Sequence, residues 1–262
     1  MKLLCLNIWG GQVYKPLFKF LKEQSKEVDI FCFQEVVQSP VSMFSNGTKT
    51  DIHKDLLKVL KNYTAFLATP FLKGYDLKQK VDFEIAIGQA IFVKKGIKVL
   101  FSETNIIYGN KESVVMGEIK REKKRYLEVP RNIHCVTIKV GKKKILVGNL
   151  HGFWMPRSKT DSKERIHQSK KIKEIFDVFK GPRILCGDFN LRPDTKSMRL
   201  LEENMRNLIV EYGIKSTRSK HHKRTNKFAD YIMVSDKVKV NNFEVMNEHV
   251  SDHLPLILDF SV

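Results

Sequence analysis

Short apolar segments alternate with longer amphipathic ones along the chain. Nine of the short segments have the length of a β-strand and are rich in β-branched or aromatic residues. They cover residues 2–8, 28–35, 86–95, 134–140, 144–151, 183–189, 228–235, 238–246 and 254–260. Because these segments are so numerous, we expect a core built mainly from β-sheet.

The amphipathic segments predict four helices, over residues 14–25, 53–63, 159–180 and 195–204. Apolar residues three and four positions apart lie on one face of a helix. The residues assigned to such a face are Leu17, Phe18 and Leu21 in the first helix and Leu56, Leu57 and Leu60 in the second. We therefore expect each of these helices to bury one apolar face.

The third predicted helix has both a start signal and an apolar face. Asp161 and Glu164 have the spacing of a capping box. The inward face contains Ile172, Ile175, Phe176 and Phe179. Neither an internal repeat nor a linker-like segment divides the chain. We therefore expect a single domain over residues 1–262, with helices outside two sheets that pack on each other.

The composition is that of a folded protein with a large excess of positive charge. Of the 262 residues, 42% are hydrophobic and 29% are charged, which is ordinary for a globular protein. The 47 Lys and Arg residues outnumber the 29 Asp and Glu residues, which gives a formal net charge of +18. Part of the excess lies in three polar stretches, 120–125, 142–144 and 215–227. Such a charge favours nucleic acid or an anionic membrane surface as partner, and the alternative is a merely lysine-coated surface.

The sequence contains no signal for secretion or membrane insertion. The N-terminal stretch has an early Asn7 and no small-residue cleavage site, and no apolar segment is long enough to cross a bilayer. The four cysteines, Cys5, Cys32, Cys135 and Cys186, lie in apolar, strand-like segments without metal-binding spacing. We therefore expect a cytoplasmic protein whose thiols are buried and reduced.

Acid, amide or imidazole side chains follow one predicted strand after another. These residues are Asn7, Glu35, Asn149, His151, Asp188, Asn190, Asp230, Asp252 and His253. One polar residue after a strand is typical of a turn, but so many of them indicate a shared site. Because side chains alternate between the faces of a strand, the pairs Asn149/His151 and Asp188/Asn190 each point to one side. Each pair is thus expected to offer two polar groups to one pocket.

These segments resemble the motifs of the endonuclease/exonuclease/phosphatase superfamily, which includes deoxyribonuclease I, exonuclease III and the neutral sphingomyelinases. The resemblance extends over nearly the whole chain and follows the order of the family's motifs. Its elements are LNIW, FCFQE, GNLHGFW, LCGDFN, FADYIMVS and VSDHLPL. It implies an α/β fold, a four-layer α/β/β/α sandwich in which two mainly antiparallel mixed sheets pack face to face with helices outside.

The site predicted from these residues is that of a metal-dependent phosphodiester hydrolase. A hard cation such as Mg²⁺ prefers oxygen ligands and keeps several waters, so one or two carboxylates suffice. Glu35 is the first predicted ligand, and Asn7 and Asp252 support it. Mg²⁺ is therefore the expected cofactor, with Mn²⁺ as a substitute.

Hydrolysis also needs a group that activates water and a group that assists the leaving oxygen. Asp188 is the candidate base, and Asn190 is its orienting partner. The resemblance implies that His253 binds the phosphate or moves a proton while Asp230 holds its ring. His151 matches a second histidine of the deoxyribonuclease I and sphingomyelinase branches, which suggests a leaving-group or phosphate role. The sequence leaves open which histidine donates the proton.

Further residues are candidates for substrate contacts. Arg131 and Arg218 are predicted to bind phosphate because guanidinium can donate two hydrogen bonds to it. After His151, aromatic residues are followed by basic ones, a combination that suits nucleotides; these are Phe153, Trp154, Arg157, Lys159 and Arg165. Trp154 is the predicted stacking residue. The other histidines lack matching partners and are assigned to solvent or core: His53, His134, His167, His221, His222 and His249.

Three functions are compatible with the sequence. The positive charge and the predicted site together favour a Mg²⁺-dependent nuclease that acts on DNA or RNA. The second function is a phosphodiesterase or phosphatase that acts on lipid or small phosphate esters, since the family includes such enzymes. The third is a non-catalytic polyanion-binding module, although such a module has no need of the complete polar set. The sequence leaves strandedness, endo- or exonucleolytic attack and oligomeric state open.

Overall fold

The computed structural model of the protein describes residues 1–43, 49–68, 71–76, 79–109, 115–116, 127 and 129–262. In chain order its strands are β1 (Lys2–Asn7), β2 (Ile30–Gln38), β3 (Tyr63–Ala68), β4 (Phe71–Asp76), β5 (Gln79–Lys94), β6 (Lys98–Tyr108), β7 (Val115–Met116), β8 (Arg131–Val140), β9 (Lys143–His151), β10 (Arg183–Asp188), β11 (Arg206–Asn207), β12 (Asp230–Val234), β13 (Lys239–Val245) and β14 (Leu256–Ser261). Its helices are α1 (Tyr14–Gln24), α2 (Ile52–Val59), α3 (Lys163–Val178), α4 (Lys196–Glu202) and α5 (Leu208–Glu211), and a turn of 3-10 helix covers Trp9–Gly11.

The strands form two mixed sheets. The first sheet has the order β13-β14-β1-β2-β5-β4-β7, and β3 also pairs with β5. The second sheet has the order β11-β12-β10-β9-β8-β6. Most neighbouring strands are antiparallel, but β1 and β2, β9 and β10, and β4 and β7 are parallel. Each sheet therefore has a parallel pair in its interior, and both strands of that pair end at the same edge.

The two sheets pack face to face, and helices cover their outer faces. Leu3 of β1 lies in the apolar core between the sheets, whereas its neighbour Leu4 packs with residues of α1 and α2. On the other side of the molecule, the ring of Phe176 in α3 lies against β9 at Gly148, where a Cβ atom would come within 2.5 Å of it. The predicted four-layer α/β/β/α sandwich is confirmed.

Each of the nine predicted strand segments corresponds to a strand, but five of the described strands, β3, β4, β6, β7 and β11, were not predicted. The residues of β6 are mostly exposed or half-buried, and β6 lies at one edge of the second sheet. An edge strand has few neighbours to bury its side chains, so it lacks the apolar alternation by which a strand is recognised. β3 begins where the second predicted helix was expected to end.

The apolar face predicted for α1 is confirmed, and the face predicted for α2 needs one correction. Leu17 and Leu21 of α1 are fully buried. In α2, Leu56 is buried but Leu57 is 42% exposed, and Ile52 takes part in the core instead. Residues 52 and 56 are one helical turn apart, so they share a face that Leu57 cannot join.

The predicted capping box of Asp161 and Glu164 is wrong. Ser162 is the N-cap of α3, and its side chain accepts a hydrogen bond from the backbone N–H three residues later. The Asp161 carboxylate instead accepts hydrogen bonds from the backbone N–H groups of Lys196 and Ser197, at 2.8 and 2.9 Å. Asp161 therefore stabilises the start of α4, which the local sequence around Asp161 does not reveal.

Three predictions from composition can be compared with the structure. All four cysteines are free and buried, and burial raises the pKa of each thiol, that of Cys135 to about 12. Within the described ranges, no helix combines the length and the apolar character needed to cross a bilayer. Of the basic stretches, 142–144 is exposed where β8 turns into β9, 215–227 precedes β12, and 120–125 lies outside the described residues.

Candidate active site

Three polar residues of the second sheet lie side by side in one row across neighbouring strands. His151 at the end of β9 pairs in register with Asp188 at the end of β10, and Asp188 pairs with Asp230 at the start of β12. Side chains at paired positions point to the same face of a sheet. The polar ends of three separate strands are thereby brought together.

The first sheet contributes a carboxylate through a β-bulge. Pairing of β2 with β5 shifts register between Gln34 and Val36, which leaves Glu35 as the extra residue, with a φ of 56°. A bulge bends the strand and redirects its side chains. Asn7, at the end of the adjacent β1, donates from Nδ2 to Glu35 Oε1 and to Asp188 Oδ2, both at 3.1 Å. Asn7 thus links the carboxylates of the two sheets.

Two glycines allow β9 and β10 to come close together beneath these residues. Gly187 has a φ of 142°, and a Cβ atom on it would lie 2.0 Å from the carbonyl oxygen of Leu150. A Cβ atom on Gly152 would lie 2.4 Å from the carbonyl oxygen of Phe189. Any side chain at either position would therefore push apart the segments that present His151 and Asp188.

Asn190 is held in a fixed orientation after β10. Its φ of 57° is in the left-handed region, which asparagine tolerates better than most residues. Its backbone N–H donates to Asp188 Oδ1 at 2.9 Å, and its Nδ2 donates to the Gly152 carbonyl oxygen at 3.2 Å. Its Oδ1 accepts a hydrogen bond from the ammonium group of Lys159. Asn190 therefore connects a buried cation to Asp188.

His253 and Asp230 form a buried pair. Nδ1 of His253 lies 2.7 Å from Asp230 Oδ1 and 2.8 Å from Oδ2, and Thr217 donates to the same carboxylate at 2.9 Å. Burial alone would lower the pKa of His253, but Asp230 outweighs it, and the pKa lies above its usual value. Nε2 of His253 accepts a hydrogen bond from Arg218 in the neutral form of the ring. The pair fixes the ring so that Nε2 is turned towards Asp188, 3.7 Å away.

Asp188 is a buried carboxylate surrounded by positive charge. Burial alone would raise its pKa, but the charges of Lys159 and His253 keep the pKa of Asp188 well below its usual range. His151 Nε2 lies 3.9 Å from Asp188 Oδ2 and 3.9 Å from Glu35 Oε1. Burial and the neighbouring Arg131 lower the pKa of His151 to about 3. At neutral pH, an ionised Asp188 therefore lies beside a neutral His151.

The donor set at Glu35 and Asp252 suits a hard divalent cation. Burial and the nearby charge of Asp252 raise the pKa of Glu35. The Asn7 amide oxygen accepts from the Trp9 backbone N–H at 2.9 Å, so Asn7 presents its nitrogen to the carboxylates and supports Glu35 as a hydrogen-bond donor rather than as the predicted metal ligand. The ligand atoms of Asp188, Asp230 and His253 also lie within 4.8 Å of one another. In this second group of ligand atoms, both oxygens of Asp230 already contact Nδ1 of His253.

These residues surround one cavity of about 670 Å³. The predicted residues on its wall are Glu35, Arg131, His151, Trp154, Asp188, Asn190, Arg218, Asp252 and His253. Asn7 and Asp230 lie behind this wall and contact Asp188 and His253, respectively. A second groove of about 790 Å³, lined by residues such as Arg183 and Glu211, contains none of the predicted residues. The structure thus brings all eleven predicted residues to one place.

A family model named the endonuclease/exonuclease/phosphatase family matches residues 4–253 of this sequence. The chain belongs to the endonuclease/exonuclease/phosphatase family. Members of this family are hydrolases that act on phosphate esters, and they generally depend on divalent metal ions. No curated protein matches the sequence.

Several solved structures share the family's fold with this chain. An endonuclease/exonuclease/phosphatase from Beutenbergia cavernae is 15% identical, with a TM-score of 0.75, and the match covers 100% of this chain and 71% of that protein. A mannosyl-6-phosphatase from Bacteroides thetaiotaomicron is 16% identical, with a TM-score of 0.67 and complete coverage of both chains, 100% each. D. rerio TDP2, solved with a single-strand DNA product, is 14% identical, with a TM-score of 0.66 and coverage of 100% and 99%. At these identities the likeness concerns the fold.

Within this family fold, the structure reveals site residues that the motifs did not identify. Lys159 stands out in the sequence only as one of several basic residues after His151. In the structure it is buried, and its ammonium group donates to Asn190. His222, which had been assigned to solvent or core, lines the cavity and lies 3.6 Å from Asp252. Trp9, at the start of the 3-10 turn, lines it as well. Lys159 and His222 come from loops and Trp9 from the 3-10 turn, and none of them has a local spacing that predicts its neighbours.

Two residues have structural roles that differ from the expected ones. Asn149 does not line the cavity; its amide oxygen accepts from Gln34 at 2.6 Å, and its Nδ2 donates to the Phe33 carbonyl oxygen at 2.9 Å, which joins the two sheets. Arg165 is fully buried and donates to backbone carbonyl oxygens of residues 153, 158 and 160. It therefore anchors the loop that contains Trp154 and Lys159 rather than contacting a substrate in the cavity.

Proposed function

We propose that the protein is a divalent-metal-dependent phosphodiesterase whose substrate is nucleic acid, DNA or RNA. The observation that carries this proposal is the position of Asp188. It is ionised and buried, 3.7 Å from His253 and 3.9 Å from His151, at the wall of a cavity lined by basic side chains. A carboxylate in this setting can accept a proton from water close to a bound phosphate.

In the proposed reaction, Asp188 accepts a proton as water attacks phosphorus. Asn190 and Lys159 keep the carboxylate in place, because Asn190 donates to Asp188 and accepts from Lys159. Positive charge from Lys159 favours the ionised carboxylate before the attack, and it also stabilises negative charge on the phosphate oxygens during the attack. The bond between phosphorus and the leaving oxygen then breaks.

The two histidines have different proposed roles because their pKa values shift in opposite directions. His253 has a raised pKa and is held by Asp230, so we assign it the proton that the leaving oxygen receives. His151 has a pKa of about 3 and is neutral, so its ring N–H is suited to donating a hydrogen bond to a phosphate oxygen. The assignment separates proton transfer from phosphate binding.

Glu35 and Asp252 are the proposed metal ligands, and Mg²⁺ is the proposed ion, with Mn²⁺ as a substitute. When bound, such an ion supplies positive charge that offsets the charge on the reacting phosphate. Asn7 holds Glu35 in position through the 3.1 Å hydrogen bond to Oε1. Both carboxylates line the same cavity as Asp188, which supports this assignment.

Nucleic acid is the proposed substrate because of the charge and shape of the cavity. Its wall carries Arg131, Lys159, Arg218, Lys223 and Arg224, together with the rings of Trp9 and Trp154. Basic groups attract the phosphate backbone, and indole rings offer surfaces on which bases stack. The net charge of +18 acts in the same direction.

The test is a cleavage assay on fluorescent single- and double-stranded DNA and RNA and on bis(p-nitrophenyl) phosphate, with Mg²⁺, Mn²⁺ or EDTA. We expect metal-dependent cleavage of a nucleic acid, and Asp188→Asn should lose at least ~10³-fold in kcat. His253→Ala should lose more on nucleic acid than on the nitrophenyl ester, because nitrophenolate leaves without a proton. His167→Ala, an exposed histidine on α3, is the control.

Each other outcome points to a different function. Cleavage of the small ester alone would reject nucleic acid and direct attention to lipid or small phosphate esters. Tight, salt-sensitive binding of nucleic acid without turnover in any metal would reject the enzyme and favour a polyanion-binding module. Full activity of Asp188→Asn would reject Asp188 as the base.

A further inference from the structure

Three nitrogen atoms at the wall of the cavity are buried without a hydrogen-bond partner among the described residues. They are Nε of Arg131, Nε of Arg218 and Nε2 of His222. The two arginine nitrogens are donors, and Nε2 of His222 is a donor when it carries the ring proton. Buried donors are almost always paired in folded proteins, because an unpaired donor loses its bond to water and gains nothing. Such atoms around one cavity indicate an acceptor that the protein itself does not supply.

Arg218 and His222 belong together, whereas Arg131 lies elsewhere on the wall. Nη1 of Arg218 and Nδ1 of His222 each lie 3.6 Å from the same atom, Oδ2 of Asp252. Their side chains are only 8% and 11% exposed. Arg131 is instead electrostatically coupled to Asp188 and Glu35, which places it on the side of the reacting phosphate. The wall therefore carries unpaired donors at two separate positions.

The loop that presents Arg218 and His222 is fixed to the catalytic strand ends. The Ser219 backbone N–H donates to the Asp252 carbonyl oxygen at 3.1 Å, and the Leu254 N–H donates to the Thr217 carbonyl oxygen at 2.9 Å. Arg218 also forms a β-bridge with His253. The two donors are thus held in place before any ligand binds, which reduces the entropic cost of binding.

Positive charge exceeds negative charge on this side of the cavity. Asp252 is the carboxylate between Arg218 and His222, while Lys223 and Arg224, two exposed residues of the same loop, also line the cavity. One carboxylate cannot balance three cationic side chains. An anion with several acceptor oxygens would satisfy both the unpaired donors and the remaining charge, and phosphate has these properties.

We propose that Arg218 and His222 form a binding site for a second phosphate group, next to the phosphate that is hydrolysed. The proposal rests on the proposed function, because that function identifies the first phosphate. It implies that the preferred substrate carries two phosphates one nucleotide apart, and that an isolated phosphodiester is a poor substrate. The cavity of about 670 Å³ is in the size range of sites that enclose a ligand larger than one phosphate group.

His222 offers the cleaner test of the two residues. Nη1 of Arg218 also contacts Nε2 of His253, so removal of Arg218 would disturb the proposed proton donor. His222→Phe keeps the volume of the ring and removes both nitrogen atoms. Lys220→Gln is the matched control, because Lys220 is an exposed cation of the same loop and does not line the cavity.

The substrates are a dinucleotide with a single phosphodiester and the same dinucleotide with an added 5′-phosphate or an added 3′-phosphate. In the wild type, we expect one added phosphate to raise kcat/KM by roughly tenfold or more, the usual effect of charge-assisted hydrogen bonds. His222→Phe should lose most of this ratio, and Lys220→Gln should keep it. An equal ratio in wild type and His222→Phe would overturn the proposal.

A binding measurement separates this proposal from the proposed function. In EDTA, where no turnover is expected, calorimetry compares the affinities of the three dinucleotides for wild type and His222→Phe. A gain from the added phosphate that disappears in His222→Phe supports the second site, even if no phosphodiester is cleaved under any condition. Equal affinities of all three dinucleotides for the wild type would reject the second site, even if nucleic acid is cleaved.

Discussion

Lys159 shows how strongly one residue depends on its surroundings. Within the part of the chain that the structure describes, it is the one lysine that is buried, at 7% exposure, and it donates to Asn190. Burial lowers its pKa to about 8, although the nearby Asp188 acts in the opposite direction. Lys159 therefore carries its charge at neutral pH and loses it in mildly alkaline solution.

Replacement of this charge should lower activity and alter its pH dependence. We expect Lys159→Met to reduce kcat/KM on the cleaved substrate by roughly 10- to 100-fold, because the variant loses one group that stabilises the negative charge developing on the phosphate. The wild type should lose activity as pH rises through about 8, because Lys159 then becomes neutral. The variant lacks this group, so the part of the fall that Lys159 causes, near pH 8, should be absent, while loss of the His253 proton acts in both proteins. The measurement is kcat/KM from pH 6 to pH 10.

Lys142→Met, an exposed lysine where β8 turns into β9, is the control for a general loss of charge. It should keep the alkaline fall of the wild type. A Lys159→Met variant with the same alkaline fall would show that another group causes it.

At the scale of elements, the bulge in β2 joins a strained backbone to a functional side chain. Glu35 has a φ of 56°, a conformation that costs a residue with a side chain about 1 kcal/mol relative to glycine. The same bulge turns the carboxylate towards Asn7 and His151. Such strain is expected at a bulge, where one extra residue breaks the alternation of side chains between the two faces of the strand.

Glu35→Gly and Glu35→Ala should therefore differ in stability but agree in activity. Both remove the proposed metal ligand, so both should abolish metal-dependent turnover. Only glycine relieves the backbone strain, and we expect Glu35→Gly to be more stable than Glu35→Ala by about 1 kcal/mol. Urea unfolding in metal-free buffer measures this difference. Equal stabilities would contradict the strain at this bulge, and normal turnover in either variant would remove Glu35 from the ligand set.

Helix α3 positions the loop that follows β9. Arg165 in its first turn donates to the Phe153, Ser158 and Thr160 carbonyl oxygens, and Gln168 accepts from the Phe153 N–H at 2.8 Å. These bonds fix the segment that presents Trp154 and Lys159 to the cavity. The start of α3 thus determines the position of two cavity residues.

Arg165→Met should destabilise the protein and weaken catalysis together. The substitution leaves several buried carbonyl oxygens without a donor, and we expect a loss of roughly 3 kcal/mol in the free energy of unfolding. kcat should fall more than the apparent affinity, because Lys159 loses its fixed position. Lys170→Met, an exposed residue of the same helix, should have little effect. A fully active, equally stable Arg165→Met would contradict the anchoring role.

At the scale of the whole molecule, the net charge of +18 acts over a longer range than any contact in the cavity. Exposed charges interact over about a Debye length, roughly 8 Å at physiological salt. Some of the basic residues line the cavity and others, such as Lys142, lie elsewhere on the surface. A long polyanion can contact both groups, whereas a small ester contacts only the cavity.

Salt should therefore affect the two kinds of substrate differently. Between 50 and 200 mM KCl, we expect kcat/KM on an oligonucleotide to fall by roughly tenfold or more, because counterions must be displaced from several phosphates. The value for bis(p-nitrophenyl) phosphate should change by less than about twofold. Parallel salt titrations with both substrates test this. Equal salt dependence would mean that the basic surface outside the cavity does not contact the substrate.

The sequence by itself determined most strands, the four principal helices and the residues that end the strands. These features are local: alternation reveals a strand, helical spacing reveals an apolar face, and a glycine before an acid reveals a strand end. Asp188, Asn190 and His253 could be identified because their motifs are short and contiguous. β6 could not, because an exposed edge strand has little apolar pattern to detect.

Only the tertiary structure decided which polar groups meet and what charge they carry. Asn7 and Asp188 are 181 positions apart yet form a hydrogen bond, and Asp161 caps a helix that begins 35 positions later. The other described lysines are exposed or half-buried, and the other histidines range from the buried His134 to the exposed His167. Residue type alone therefore could not single out Lys159 or His222. The physical reason is that burial and electrostatic interaction depend on distances in space, which periodicity along the chain does not contain.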